Sequence, residues 1–134
     1  MDPIVERVIE DAVAASHAGA RPFADIVGSL VAHGVESYRV DYRQRSSTYF
    51  LPTGEWRTVP NAAPDIPIAE GFDQEAIVAA IRGSQRGEVK YPEFIERSMR
   101  AGCVGYIVWL SGRHVSYFGR LGETHVERFP SRTS

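Results

Sequence analysis

The spacing of hydrophobic residues switches from a helical period to a strand period twice along this chain. Apolar residues recur every three or four positions over residues 4–13 and again over residues 23–31, which predicts two amphipathic helices. Gly19 and Gly34 follow these stretches and are expected to end the helices. Over residues 38–59, apolar and polar residues alternate in three short runs, which predicts three strands.

The second half of the chain repeats this order of elements. Asp73 is a candidate N-cap for a third helix, and a fourth apolar stripe follows over residues 91–101. Three further strands are predicted within residues 103–129. Between the halves, three prolines from Pro60 to Pro67 exclude a helix and favour an extended connector. The pattern predicts an α+β fold of two ααβββ units with antiparallel sheets.

Short segments of the two halves are also alike in sequence. TYFLPTGEW, starting at Thr48, is followed 68 residues later by SYFGRLGET, and eight of the 22 aligned positions from Gly34 to Glu55 are identical. Ordinary amino-acid usage would give about one or two identities. The sequence therefore predicts one domain of residues 1–134, built from two repeats of about 1–66 and 69–134 with approximate twofold symmetry. Their sheets either join into six strands or pack against each other.

Two hairpins in the second half decide which side chains share a face. A two-residue turn at Ser111 and Gly112 would pair Trp109 with His114. With a four-residue loop over residues 119–122, the core face would carry Tyr106, Val108, Leu110, Val115, Tyr117 and Val126. The other face would then carry Ile107, Trp109, His114, Ser116, Phe118, Glu123, His125 and Glu127. A three-residue loop with a glycine bulge would instead move His125 to the opposite face.

The second of these faces holds the candidate chemistry. Two imidazoles and a carboxylate, from His114, His125 and Glu127, could bind a divalent metal or perform acid–base catalysis. The competing hypothesis is a noncatalytic interaction face, covered by a helix or by a second copy of the chain in a homodimer. Its candidate residues are Trp109, Ile107, Phe118 and Glu123. We favour the interaction module, with a protein or small-molecule partner, over a small metal-dependent or acid–base enzyme.

Composition narrows the remaining classes of function. The formal charge of −2 argues against binding of nucleic acid by charge alone, and no apolar run is long enough to span a membrane. The N-terminal residues do not resemble a secretory signal, so the expected compartment is the cytoplasm. Cys103 is the single cysteine and is expected to be a small buried hydrophobe. No motif predicts a cofactor or a dedicated metal site.

The segments AGCVGY and GRHVSYFGRLGETHVERFP are the most distinctive part of the sequence. They resemble a small bacterial family of unknown function whose members are often labelled "phage envelope protein". The resemblance extends over most of the chain. It implies the same fold unit, but no activity, cofactor or catalytic residue follows from it.

Overall fold

The computed structural model describes residues 1–130, so the last four residues of the predicted second repeat lie outside the described part. The helices are α1 (Pro3–Ala18), α2 (Phe23–Ala32), α3 (Gln74–Gln85) and α4 (Tyr91–Arg100). The strands are β1 (Ser37–Asp41), β2 (Ser46–Phe50), β3 (Trp56–Pro60), β4 (Cys103–Trp109), β5 (His114–Gly119) and β6 (Thr124–Arg128). This order confirms the predicted α+β class. Within the described residues, no helix combines the length and the apolar character needed to cross a membrane.

The helices begin and end where the local sequence supplies caps. The Asp2 carboxylate accepts a 2.7 Å hydrogen bond from the amide of Ile4 at the start of α1, and Gly19 ends this helix with φ of 64°. Asp73 caps α3 in the same way through the amide of Ala76, at 3.0 Å, which confirms the predicted N-cap. Each cap satisfies a backbone group that the helix itself leaves without a partner.

The six strands form one antiparallel sheet in the order β3-β2-β1-β4-β5-β6. The buried hydrophobic cluster takes strand residues from one face of this sheet, and the four helices pack there, so we call this face the helix side. Its strand residues include Tyr38, Val40, Tyr49, Val59, Tyr106, Val108, Val115 and Tyr117. The opposite face is called the open face. A sheet with a single helical layer buries one set of alternating residues and leaves the other set to solvent.

Pairing of β1 with β4 joins the two halves of the chain. Tyr38 lies opposite Val108, and Val40 lies opposite Tyr106, so the sheets are joined edge to edge rather than packed face to face. Gly105 permits the close approach of the two strands, because a Cβ atom at this position would collide with the carbonyl oxygen of Val40. The buried cluster consequently runs without interruption beneath both halves.

The turns of the two halves have matching geometry. Four residues connect β1 to β2 and four connect β4 to β5, and the last residue of each loop, Arg45 or Arg113, has a positive φ, of 54° or 59°. The predicted pairing of Trp109 with His114 is confirmed, but the two-residue turn at Ser111 and Gly112 is wrong, because Leu110 and Arg113 belong to the loop. Three residues connect β2 to β3 and three connect β5 to β6. The last residue of each three-residue loop, Gly54 or Gly122, has the positive φ that this loop type requires.

The connector between the halves contributes a buried polar residue. Asn61 is buried, and its amide nitrogen donates to Ser47 Oγ at 2.8 Å and to Tyr91 Oη at 3.0 Å. Its oxygen faces His17 Nε2 at 2.5 Å, so this imidazole nitrogen is assigned as a donor. Tyr91 Oη also lies 2.7 Å from Tyr106 Oη. One amide thereby ties α1, β2, α4 and β4 to the connector.

Further along, the connector runs against the end of α4. The amides of Ala69 and Asp73 donate to the carbonyl oxygens of Met99 and Ala101, at 3.1 and 2.7 Å. These bonds satisfy carbonyl groups that the helix end leaves without partners. Gly102 follows directly with φ of 89°, and a Cβ atom there would collide with the carbonyl oxygen of Gly71. The contact therefore needs a glycine for two separate reasons.

Substitution of Gly102 by alanine is expected to cost more stability than the same substitution at Gly34. Both glycines have positive φ, 89° and 82°, which costs an L-residue about 1–2 kcal/mol. A Cβ atom at Gly34 meets open space, whereas at Gly102 it must displace the connector, which adds about 1–3 kcal/mol. Urea unfolding followed by circular dichroism measures both losses. Equal losses for Gly34→Ala and Gly102→Ala would contradict the packing of the connector described above.

Candidate functional site

The open face is the side of the sheet that the helices leave uncovered. Strand by strand it carries Ser37, Arg39 and Asp41; Ser46, Thr48 and Phe50; Trp56, Thr58 and Pro60; Gly105, Ile107 and Trp109; His114, Ser116 and Phe118; and Thr124, Val126 and Arg128. Three of the four residues predicted for an interaction face, Ile107, Trp109 and Phe118, lie here.

Large apolar side chains on the open face are in contact with solvent. Trp56 is 65% exposed, Trp109 is 39% exposed and Val126 is 48% exposed. Phe50 lies opposite Trp56 in the β2–β3 pair, and both are at one corner of the face. An exposed tryptophan on a regular strand is uncommon in a monomer, and two on one face mark it as a candidate contact surface.

The polar atoms beside Trp109 already have partners within the chain. Its indole nitrogen donates to Ser116 Oγ at 3.2 Å, and Ser116 is itself buried in the sheet surface. The His114 ring lies 6.2 Å from the Trp109 ring, and its Nδ1 is 3.1 Å from the carbonyl oxygen of Gly112. A partner could cover the indole ring without removing water from an unpaired donor.

The loop between β5 and β6 decides where His125 lies. It has three residues, not four, because Gly119 and Glu123 form the closing pair and the amide of Gly119 donates to the Glu123 carbonyl oxygen at 2.8 Å. His125 is consequently opposite Tyr117, and the two rings stack at 6.2 Å on the helix side. The pairing of His125 with Ser116, expected from a four-residue loop, is therefore wrong.

The same shift of one residue corrects the rest of β6. Val126, expected in the core, lies on the open face, and Glu127 lies on the helix side. Glu123 also leaves the expected interaction face: its carboxylate accepts from the amide of Leu121 at 2.9 Å and lies beside Gly119. His114 stays on the open face. The structure thus separates His114 from His125 and Glu127, the other two candidate catalytic residues.

On the helix side, α3 supplies partners to β6. The Gln74 amide lies 3.0 Å from His125 Nδ1, and the Arg82 guanidinium donates to the Glu127 carboxylate at 2.7 Å. Burial raises the pKa of Glu127, but the hydrogen bond and charge of Arg82, together with His125, outweigh it and hold the pKa below its usual value. These contacts fasten a helix to an edge strand and leave His125 away from open solvent.

The described residues form neither a metal-binding cluster nor a reactive cysteine. Among residues 1–130, no three histidine, cysteine, aspartate or glutamate side chains are grouped closely enough to hold a metal ion. Cys103 is fully buried, donates its thiol to the Gly105 carbonyl at 3.2 Å, and has a pKa raised to about 11 by burial. This confirms the buried hydrophobe expected at Cys103, since a reactive cysteine needs a lowered pKa and solvent access.

Sequence reasoning missed Trp56 and Phe50 as members of the open face. Arg57, the neighbour of Trp56 on β3, lies on the helix side and forms ion pairs with Glu6 and Glu10 of α1. The signal that could have found the tryptophan is the strict alternation within β3, where Val59 faces the core.

Removal of the Arg82 charge is expected to destabilise the fold at neutral pH but not in acid. Because Arg82 lowers the folded-state pKa of Glu127, the ion pair stabilises the fold fully above the unfolded-state pKa of about 4.3. This stabilisation is lost as the pH falls through the lower folded-state pKa. Arg82→Gln should therefore unfold at lower urea than wild type at about pH 7, and the difference should shrink by about pH 3. Arg86→Gln, which breaks the exposed pair with Glu88, is the matched control and should be near neutral. A pH-independent loss in Arg82→Gln would contradict this assignment.

Comparison with known proteins identifies a family but no activity. Residues 20–127 match the family described as "Protein of unknown function (DUF1398)". Uncharacterized proteins of Mycobacterium bovis and Mycobacterium tuberculosis are 30% identical over 95 residues, which cover 63% of this chain and 58% of each relative. The match thus spans little more than half the length of these relatives, and their descriptions name no activity and no phage structure. The chain belongs to the DUF1398 family of unknown function.

Proposed function

We propose that the protein is a noncatalytic interaction module and that the open face is its binding surface. The observation that carries the proposal is the exposure of Trp56 and Trp109 on one face of a regular sheet. Tryptophan is enriched among the residues that dominate binding energy at protein interfaces. Ile107 lies two positions from Trp109 on β4, and Phe118 lies diagonal to Ile107 on β5, so these half-buried side chains extend the apolar surface across β4 and β5.

The first occupant that we propose for this face is a second copy of the chain. The centre of the second-half part of the face is apolar, and charged residues lie at its border. Every copy of the chain carries the same apolar patch, so a twofold axis can bring two identical patches together. At its border Arg39 of β1 is exposed, whereas the Asp41 carboxylate is already paired with Arg43 at 3.1 Å.

The size of the face predicts a modest affinity. Six strands spaced by about 4.8 Å and five residues rising by about 3.4 Å each give a face of roughly 25 by 17 Å. That is about half of the 800 Å² or so per partner that stable complexes bury. We therefore expect a reversible dimer with a Kd in the micromolar range.

We also infer that the chain is an internal duplication and that it forms one domain. Equivalent hydrogen bonds support this inference: the amides of Asn61 and Phe129 donate to the carbonyl oxygens of Arg45 and Arg113, both at 2.9 Å. Phe129 lies 68 positions after Asn61, and Arg113 lies 68 positions after Arg45, which is the offset that relates the two repeats. The matching turn lengths and the shared buried cluster support it further.

The alternative function is a small metal-dependent or acid–base enzyme using His114, His125 and Glu127. The two histidines lie on opposite faces of the sheet, so a single reacting atom or metal ion could not contact both. His125 and Glu127 are also committed to Gln74 and Arg82 of α3. We therefore rank this alternative below the interaction module.

Removal of the two tryptophans is expected to abolish self-association. The weight-average mass of the wild type, measured by sedimentation equilibrium between about 1 and 500 µM, should rise toward that of a dimer. Trp56→Ser/Trp109→Ser should keep the monomer mass throughout. Leu121→Ser, which removes an 85% exposed side chain outside the open face, is the matched control and should dimerise as wild type does. A wild type that stays monomeric over this range contradicts the homodimer.

Elemental analysis distinguishes the module from the enzyme. Protein purified without a metal-affinity tag and without chelators should contain far less than one equivalent of zinc, manganese or iron. Stoichiometric metal that is lost in both His125→Ala and His114→Ala, each still folded by circular dichroism, would overturn the proposed module and favour the enzyme. His33→Ala removes an exposed histidine whose Nδ1 lies 2.8 Å from the Ser29 carbonyl oxygen, and it serves as the control.

A further inference from the structure

A basic groove lies at one end of the sheet, away from the open face. Three elements meet there: the β1–β2 turn with Arg43 and Arg45, the β5–β6 loop with Arg120, and the connector. The groove has a volume of about 610 Å³, within the range of small-molecule sites. Two arginines of one turn and a third from a distant loop thus line one concave surface.

The carboxylates near the groove neutralise part of this charge. Asp41 pairs with Arg43 at 3.1 Å, and Asp65 lies 3.6 Å from Arg45. The Asp65 carboxylate is fully exposed, so its pairing with Arg45 is weak and easily exchanged for a ligand. Three guanidinium groups and two carboxylates leave a net charge of +1 at the groove.

The floor of the groove is apolar. Ile66 and Ile68 of the connector and Met99 of α4 line it, and Met99 is buried. Arg120 spans toward this floor, where its guanidinium donates to the Ile68 carbonyl oxygen at 3.5 Å. This long bond leaves most of the N–H donors of the Arg120 guanidinium available to a ligand. The groove therefore offers guanidinium donors at its rim and hydrocarbon at its base.

We propose that this groove binds a small monocarboxylic acid with a hydrocarbon tail. Guanidinium groups suit the planar carboxylate, with which they form paired hydrogen bonds, and the isoleucines and Met99 suit the tail. The net charge of +1 matches one carboxylate better than a doubly charged phosphate. This site is separate from the open face, so its occupancy does not depend on the proposed self-association.

Octanoate is the probe that tests the site. Titration of the full chain, followed by backbone amide and arginine side-chain NMR shifts, should give saturable binding with a Kd in the high micromolar to low millimolar range. The largest shifts should fall on Arg45, Arg120 and the connector. Acetate, which lacks the tail, and inorganic phosphate should each bind at least about tenfold more weakly.

Substitution of the arginines tests whether octanoate binds at this groove. Arg45→Gln and Arg120→Gln should each weaken octanoate about tenfold, because each removes a charged donor. Arg45→Lys, which keeps the charge but not the paired donors, should lie between Arg45→Gln and wild type. Arg97→Gln removes an exposed arginine on α4 that pairs with Glu93, and it should bind as wild type does. Absence of saturable octanoate binding, equal binding of acetate, or unchanged binding in the folded Arg45→Gln/Arg120→Gln double variant would each overturn the proposal.

Discussion

Pairing of β1 with β4 is the contact on which the rest of the structure depends. It converts two three-stranded sheets into one sheet of six strands and brings all four helices to the same side. Gly105 permits this contact, since a side chain there would collide with the Val40 carbonyl oxygen. Three-stranded units of this size would bury little apolar surface alone, whereas the joined sheet supports one continuous core.

A single helical layer has a direct consequence for function. The helix side is closed by the core and, at the outer strands, by ion pairs between Arg57 and α1 and between Glu127 and α3. The open face receives no such cover from the described residues. Trp56 and Trp109 are exposed because residues 1–130 provide no second layer over this face of the sheet.

The sequence predicted the elements well because each is specified locally. The N-cap at Asp73 and the apolar periods of the helices and strands need no information from elsewhere in the chain. The predicted register of β6 was wrong, because a loop shorter by one residue moves every side chain of the strand to the other face of the sheet. The LPTG turn carries the needed signal: Gly54 ends a three-residue loop there, and Gly122 has the same place in the second half. Asn61 could not be predicted, since its three partners come from distant segments.

Three core positions are shared by the two halves of the sheet. Aligned at the offset of 68, identical residues on the helix side are Tyr38 and Tyr106, Val40 and Val108, and Tyr49 and Tyr117. On the open face, Arg39 aligns with Ile107, Asp41 with Trp109, and Ser46 with His114. Close packing restricts what a core position accepts, whereas an uncovered face is free to change without loss of the fold. Phe50 and Phe118 are an exception, because they are identical at this offset and lie on the open face, where Trp56 also makes the first half partly aromatic.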